Sequence, residues 1–175
     1  KLKIKKSENI SFVTHSSGEL LLDVFRPNYS KQRPAVLCLH GGFWAQGSKK
    51  FMHPFAEGLV KKGYVAVCSN YRLTDVAPAP AQLHDVFSAI RFLRENASDY
   101  GIDPGKLGVT GSSAGGYLAV MAAVFDSGDK RTRPNAAVGM GAQTDLTYPH
   151  IQNSTVLNWS KFMGGFHHQV PQSYI

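Results

Sequence analysis

Short, nearly uninterrupted apolar runs recur along the chain, and glycine or polar residues bound each of them. Runs of this length and composition are typical of strands that are buried on both faces of a sheet. Each run is therefore predicted to be a buried strand. The runs cover Ala35 to Leu39, Tyr64 to Cys68, Leu107 to Thr110 and Ala136 to Ala142.

Longer segments between these runs carry apolar residues at helical spacing. Phe51, Phe55 and Leu59 recur at every fourth position and predict a helix over 49–62. The segment 117–125 is apolar nearly all round, as expected of a helix packed beneath other elements. Another apolar face follows Pro80 and consists of Leu83, Val86, Phe87, Ile90 and Leu93.

Near the start, two β-prone runs flank a turn that contains Gly18, which predicts a hairpin of Ile10 to Thr14 with Leu20 to Phe25. Apolar strands that alternate with helices indicate an α/β protein with a mostly parallel sheet and helices on both faces. The hairpin adds an antiparallel edge. We assign residues 1–175 to a single domain, as their number suggests.

Two glycine clusters follow predicted strands directly: His40 to Gly42, and Gly111 to Gly116. Ligands of open α/β sheets bind at the carboxyl ends of the strands. Because both clusters lie at such ends, we expect them to form the functional site.

The stretch from Gly111 to Gly115 reads GSSAG and lies between a strand and a helix. In that context G-x-S-x-G predicts a sharp turn that exposes its central serine, here Ser113, as a nucleophile. The flanking glycines leave room for the neighbouring strand and helix. The helix N-terminus favours the negative charge that develops during attack. Ser112 points elsewhere by register.

The cluster after the first buried strand reads HGGFW, from His40 to Trp44. Glycines allow the backbone to approach a bound carbonyl, so the N–H groups of Gly42, Phe43 and Ala114 are predicted to form an oxyanion hole, with Gly41 shaping the loop. His40 is either a structural residue of the loop, which we favour, or a catalytic base. Phe43 and Trp44 either wall a substrate pocket or simply pack.

The formal charge of +7 is scattered along the chain, which argues against nucleic-acid binding and favours solvated surface residues. Cys38 and Cys68 each lie in an apolar run, so free buried thiols are expected rather than a disulfide. No Cys/His cluster has metal-ligand spacing. No apolar run has the length of a membrane span. No signal-peptide pattern opens the sequence, so the compartment stays open between the cytoplasm and secretion after removal of an upstream segment.

These motifs resemble the α/β-hydrolase superfamily, specifically its hormone-sensitive-lipase-like and carbohydrate-esterase-like carboxylesterases, among them feruloyl and acetylxylan esterases. The resemblance implies the α/β-hydrolase fold, a serine nucleophile at Ser113, structural roles for Asp85 and Asp103, and no metal or organic cofactor. It implies small-molecule or carbohydrate-linked ester substrates. The HGGFW loop also resembles that of kynurenine formamidases, so an amidase is an alternative. The segments that carry the resemblance are LDVFRP (22–27), HGGFWAQGSK (40–49), NYRL (70–73), the helix with Pro80 and Asp85, YGIDPGKLGVTGSSAGGYLA (100–119) and TDL (144–146).

The sequence departs from the family after its fourth buried strand. Family members place an acid and then a histidine after further strands, and neither strand is recognisable before Ile175. The chain therefore resembles the N-terminal two-thirds of such an enzyme. One explanation is that the chain continues beyond Ile175. The others are that it is a truncated product without turnover, that it is a non-catalytic module, or that it recruits substitutes for the missing acid and histidine. The candidate substitutes are Asp145 as the acid and His150, His167 or His168 as the base.

Loss of the further strands would leave 136–142 as an apolar sheet edge. Such edges pair with other chains. If residues 1–175 are the whole molecule, we expect a homo-oligomer that covers this edge.

Overall fold

The computed structural model describes residues 3–28, 31–146 and 159–164. The strands among them are β1 (Ile4–His15), β2 (Gly18–Pro27), β3 (Arg33–Leu39), β4 (Val65–Ser69), β5 (Ile102–Ser112) and β6 (Ala136–Met140). The α-helices are α1 (His53–Lys61), α2 (Ala81–Glu95), α3 (Ala97–Tyr100), α4 (Ala114–Val124) and α5 (Trp159–Met163). Short 3₁₀ turns cover Lys49–Met52 and Lys130–Thr132.

The strands form one sheet in the order β1-β2-β4-β3-β5-β6. β1 pairs antiparallel with β2, and β2 pairs antiparallel with β4. The remaining pairs, β4 with β3, β3 with β5 and β5 with β6, are parallel. The predicted hairpin and mostly parallel sheet are confirmed. The parallel register aligns the ends of β3 and β5, since Leu39 lies opposite Gly111.

Side chains of the central strands alternate between two faces of the sheet, each with its own apolar core. On one face Leu37 and Val67 pack with residues of α2 and α4, such as Ile90. On the other face Cys38 and Cys68 pack with α1. Complete burial of an aliphatic side chain contributes about 1.5–3 kcal/mol, so these faces supply much of the driving force for folding.

The helix predicted over 49–62 begins with the 3₁₀ turn and becomes α-helical only at His53. The apolar stripe on which the prediction rested is not the face of the helix that is buried. Phe51 is 69% exposed, whereas Met52, Ala56 and Val60 face the sheet. The helix carries a second apolar row one position further on, and its small residues allow closer packing on β2 and β4.

The segment 136–142 contains a strand, as predicted, but the prediction that this strand is buried was wrong. β6 ends at Met140 and forms the edge of the sheet in the described part of the chain, where Val138 is 60% exposed. The strand is apolar because one of its faces packs near α4, whereas the other borders an open groove. None of the helices described is both long and apolar enough to cross a membrane.

Candidate active site

Ser113 lies at a sharp turn between the end of β5 at Ser112 and the start of α4 at Ala114. Its φ of 51° and ψ of −118° are unfavourable for a residue with a side chain. Such strain costs about 1–3 kcal/mol and persists only where the surroundings enforce it. The Ser113 N–H donates to the Met140 carbonyl at 2.8 Å, which holds the turn against β6.

The glycines around Ser113 permit close packing of the turn. A Cβ at Gly111 would lie 2.3 Å from the Gly115 carbonyl oxygen, and a Cβ at Gly115 would lie 2.3 Å from the Leu39 carbonyl oxygen. Atoms at these distances overlap, so a larger residue at Gly111 would force the start of α4 away from β5, and one at Gly115 would force it away from β3. The steric reason for G-x-S-x-G is therefore visible at both glycines.

The structure brings the two glycine clusters together. A Cβ at Gly41 would lie 2.9 Å from the Ser112 carbonyl oxygen and 3.4 Å from the Cβ of Ser113. The loop after β3, residues 40–48, therefore passes directly beside the serine turn. We call this segment the oxyanion loop.

The oxyanion loop turns sharply at its first glycines. Gly42, Phe43 and Trp44 all have positive φ, at 124°, 54° and 57°. The N–H groups of Ala45 and Gln46 both donate to the Gly42 carbonyl and close the turn. The N–H groups of Gly42, Phe43 and Ala114 donate to no other described residue. An oxyanion hole needs backbone donors of this kind beside the serine, and the assignment of these three N–H groups to one stays a prediction.

His40 is buried beneath this loop. Its Nδ1 lies 2.8 Å from the Gly41 carbonyl, which can only accept, so Nδ1 carries the proton. The Tyr71 hydroxyl donates to the His40 carbonyl at 2.8 Å, and the two rings stack at 4.3 Å. Burial lowers the pKa of His40 below 6.5 despite that hydrogen bond to Gly41. This geometry supports the structural role that we favoured over a catalytic one.

Trp44 lies in the core and is 1% exposed. Its ring stacks on Phe162 of α5 at 4.1 Å and meets the ring of Tyr117 edge-on at 5.5 Å. Of the two roles considered for Trp44, the structure therefore supports packing and not an open pocket wall. Phe43 is half-buried on the loop.

An apolar cavity of about 240 Å³ lies beside α4, between α2 and α5. Tyr117, one turn after Ser113, lines its upper part together with Leu83 and Phe162. Met121 and Phe125 continue the lining along α4. The cavity is an apolar space close to the nucleophile, although Ser113 itself does not line it.

Asp145 is the one candidate acid or base that lies within the described residues. Asp145 is exposed in the segment after β6, and His150, His167 and His168 lie outside the described residues. Two other histidines of the described part are engaged elsewhere, His15 with Asp85 and His53 with Asp23. That Asp145 and one of these three histidines take the places of the family's acid and base stays a prediction.

Two buried ion-pair networks lie among the described residues. The sequence analysis foresaw a structural role in the first but did not foresee the second. Asp85 accepts hydrogen bonds from the backbone and guanidinium of Arg72, which agrees with a structural role. Lys49 contacts both carboxylate oxygens of Asp23 at 2.6 Å. No sequence spacing pairs these two residues, and the only clue is a lysine directly after the glycine-rich loop.

Asp23 also belongs to a group of possible metal ligands. One ligand atom each from Glu8, Asp23 and His53 lies within 4.8 Å of the others. The Lys49 ammonium already contacts both Asp23 oxygens, so the chain supplies its own positive charge there. We assign no metal to this group.

The profile of the BD-FAE family matches residues 22–159, which include Ser113 and both glycine clusters. The chain belongs to the BD-FAE family. It has the α/β-hydrolase fold, as the order of its strands and its structural neighbours show. The resemblance on which the sequence analysis relied is thereby confirmed.

Relatives of this BD-FAE family member include an esterase and a deacetylase by name. Esterase LipQ of Mycobacterium tuberculosis is 37% identical over 61% of this chain and 26% of its own length. Arylacetamide deacetylase of Bos taurus is 30% identical over 83% of this chain and 37% of its own length. The chain thus spans well under half of either relative.

Solved esterase structures share the fold. Esterase 2 of the planctomycete Thermogutta terrifontis superposes with a TM-score of 0.65 and 26% identity, over 77% of this chain and 51% of that one. A bifunctional GH43-CE protein of Bacteroides eggerthii gives a TM-score of 0.62 and 32% identity, over 67% and 17% of the two chains.

Proposed function

We propose that the protein carrying this chain is a serine carboxylesterase that hydrolyses small carboxylic esters through an acyl-enzyme on Ser113. The observation that carries the proposal is the position of Ser113, which lies at a strained turn against Gly41. The N–H groups of Gly42, Phe43 and Ala114 belong to the two adjoining glycine-rich segments and have no described acceptor. The names of LipQ and of the Thermogutta enzyme support an ester substrate.

The reaction begins when the Ser113 oxygen attacks the ester carbonyl carbon and its proton passes to an imidazole base. The carbonyl oxygen becomes negatively charged and accepts hydrogen bonds from the oxyanion donors. The alcohol then leaves with the proton, which forms the acyl-enzyme. Water attacks this intermediate, the acid is released and Ser113 regains its proton. The described residues assign neither the base nor its acid partner.

The adjacent serine provides a matched control for the nucleophile. In the full-length protein, Ser113→Ala is expected to lower kcat for p-nitrophenyl acetate by about 10³-fold or more. Ser112→Ala removes a hydroxyl group one residue earlier in the chain and is expected to leave kcat within about threefold of the wild-type value. A fluorophosphonate probe should add its mass to the wild type and to Ser112→Ala only. Unchanged turnover in Ser113→Ala would refute the mechanism, and an unlabelled wild type would favour a non-catalytic module.

An amide substrate is the second candidate, because the name of the bovine relative describes the removal of an acetyl group from an arylacetamide. The same serine and oxyanion donors serve both reactions. Comparison of kcat/KM for p-nitrophenyl acetate, p-nitroacetanilide and N-formylkynurenine separates the classes. A preference for either amide would replace the ester proposal, and dependence on Ser113 would be retained.

A further inference from the structure

The oxyanion loop stores backbone strain at Phe43 and Trp44. Phe43 and Trp44 have positive φ although they carry large side chains, and Gly42 and Gly47 have φ of 124° and 106°. Strained conformations persist only when contacts outside the segment enforce them. The position of the oxyanion donors therefore depends on whatever holds the two ends of the loop.

The first end of the loop is held at His40. It follows β3 directly, and the Tyr71 hydroxyl donates to its carbonyl. Gly47 returns to the same place, since a Cβ there would lie 2.6 Å from Nδ1 of His40. This contact closes the loop on itself, but it leaves the closed loop to be fixed relative to the sheet.

The second end of the loop is held at Lys49, directly after Ser48. The Lys49 N–H donates to the Asn70 side-chain carbonyl at 2.8 Å, and Asn70 follows β4. The Lys49 ammonium reaches β2, where it contacts both oxygens of Asp23 at 2.6 Å, and β1, where it donates to Asn9 at 2.9 Å. One residue thus fixes the loop to three strands.

The Lys49–Asp23 pair is buried, with side-chain exposures of 5% and 1%. Burial opposes ionisation of Asp23, but hydrogen bonds from Lys49, the Asn9 N–H and His53 outweigh it and hold the pKa of this carboxyl below 3.8. A buried ion pair adds little net stability compared with apolar residues of the same size, but its geometry is specific. Its value is therefore positional.

We infer that Lys49 and Asp23 are positioning residues, which hold the far end of the oxyanion loop so that its N–H groups face the carbonyl attacked by Ser113. The inference rests on the proposed function and adds to it a support that acts through the loop. Neither side chain touches the substrate. Both act on the transition state and leave the affinity for the ground-state ester unchanged.

The test uses the full-length protein and separates kcat from KM. Lys49→Met removes the ammonium from Asp23 and leaves it the Asn9 N–H and His53, whereas Lys49→Met with Asp23→Leu replaces the pair by apolar side chains. For both, kcat for p-nitrophenyl acetate is expected to fall about 10- to 100-fold, because a misplacement of about 1 Å costs rates of this order. KM is expected to stay within about threefold. Ile90→Ala, on the buried face of α2, is the control that lowers stability and leaves kcat unchanged.

The outcomes separate this inference from the proposed function. Unchanged kcat in the double variant, with turnover still lost in Ser113→Ala, would overturn the inference alone. Turnover that survives Ser113→Ala would overturn the proposed function and the inference with it. Failure of both Lys49 variants to fold would also overturn the inference, because the pair would then be a requirement of the whole fold. Reduced kcat in a double variant whose melting temperature matches the wild type supports it.

Discussion

Gly115 in the first turn of α4 packs directly on the end of β3, where a Cβ at position 115 would lie 2.3 Å from the carbonyl oxygen of Leu39 and 2.5 Å from that of His40. No real Cβ contact is this short. The contact joins the helix that presents Ser113 to the strand that leads into the oxyanion loop. The proposed nucleophile and the proposed oxyanion donors are thus held at a fixed distance because position 115 carries no methyl group.

Gly115→Ala is therefore expected to destabilise the protein by about 3 kcal/mol or more, the upper range for overpacking. Gly58→Ala is the matched control, because Gly58 lies within α1 and a Cβ there meets nothing within 4 Å. It is expected to stabilise the protein by about 0.5–1 kcal/mol, the helical cost of glycine. Urea unfolding monitored by circular dichroism measures both. Equal effects of the same sign would contradict this reading.

Trp44 is expected to contribute to stability as a core residue. Because its ring is buried between Phe162 and Tyr117, Trp44→Ala should lower the free energy of unfolding by about 3–5 kcal/mol. Phe51→Ala truncates an aromatic side chain that is 69% exposed and should change it by no more than about 0.5 kcal/mol. Chemical denaturation of both variants measures these changes. A small effect of Trp44→Ala would instead favour the role of Trp44 as a wall of the substrate pocket.

The features that could be predicted from the sequence are those set by local chemistry. The strands of the sheet are recognisable because they are continuous apolar runs, and the serine turn because G-x-S-x-G needs glycine at both flanks. The face of α2 was also predicted, since Leu83 and Ile90 belong to a single apolar stripe and both are buried. In each case one short segment contains the whole signal.

The features that could not be predicted depend on contacts between distant segments. The helix α1 has two neighbouring apolar rows, and only the packing against β2 and β4 decides that Met52 and Ala56 face inward. The Lys49–Asp23 pair joins a loop to a strand 26 positions earlier. The environment of His40 likewise depends on Tyr71, which follows a different strand. No periodicity within one segment carries this information.

His40 is expected to make stability depend on pH below neutrality. Its pKa in the folded protein is lowered below 6.5 by burial, so in the unfolded chain it binds a proton at a higher pH than in the folded one. The stabilisation is present above pH 6.5 and is lost as the pH falls towards the folded pKa.

His40→Asn keeps a donor near the Gly41 carbonyl but does not titrate. Between pH 7 and pH 5 the free energy of unfolding of the wild type should fall more steeply than that of this variant, by up to about 1.4 kcal/mol per pH unit. Urea titrations at several pH values measure the difference in slope. Parallel pH profiles would show that His40 is not the group responsible.

Cys38 and Cys68 are opposite each other on β3 and β4, and both are completely buried. The interaction with Cys38 and burial together raise the pKa of the Cys68 thiol. Neither thiol should therefore react with Ellman's reagent in the native protein, and two should react per chain after denaturation. Rapid reaction of the native protein would mean that the sheet opens at β3 and β4.

Val138 on the edge strand β6 is expected to mediate self-association of the 175-residue chain when it is expressed alone. The residue is 60% exposed, and it borders an apolar groove formed with Val36, Phe55 and Leu59. An apolar edge strand offers unpaired backbone groups and apolar side chains to a second copy.

Val138→Lys should raise the dissociation constant of the oligomer about tenfold or more, which corresponds to about 1.4 kcal/mol. Val124→Lys makes the same change at a site on α4 that is 71% exposed, and it should leave association unchanged. Sedimentation velocity over a range of concentrations measures the three proteins, and a wild-type chain that stays monomeric would refute the prediction.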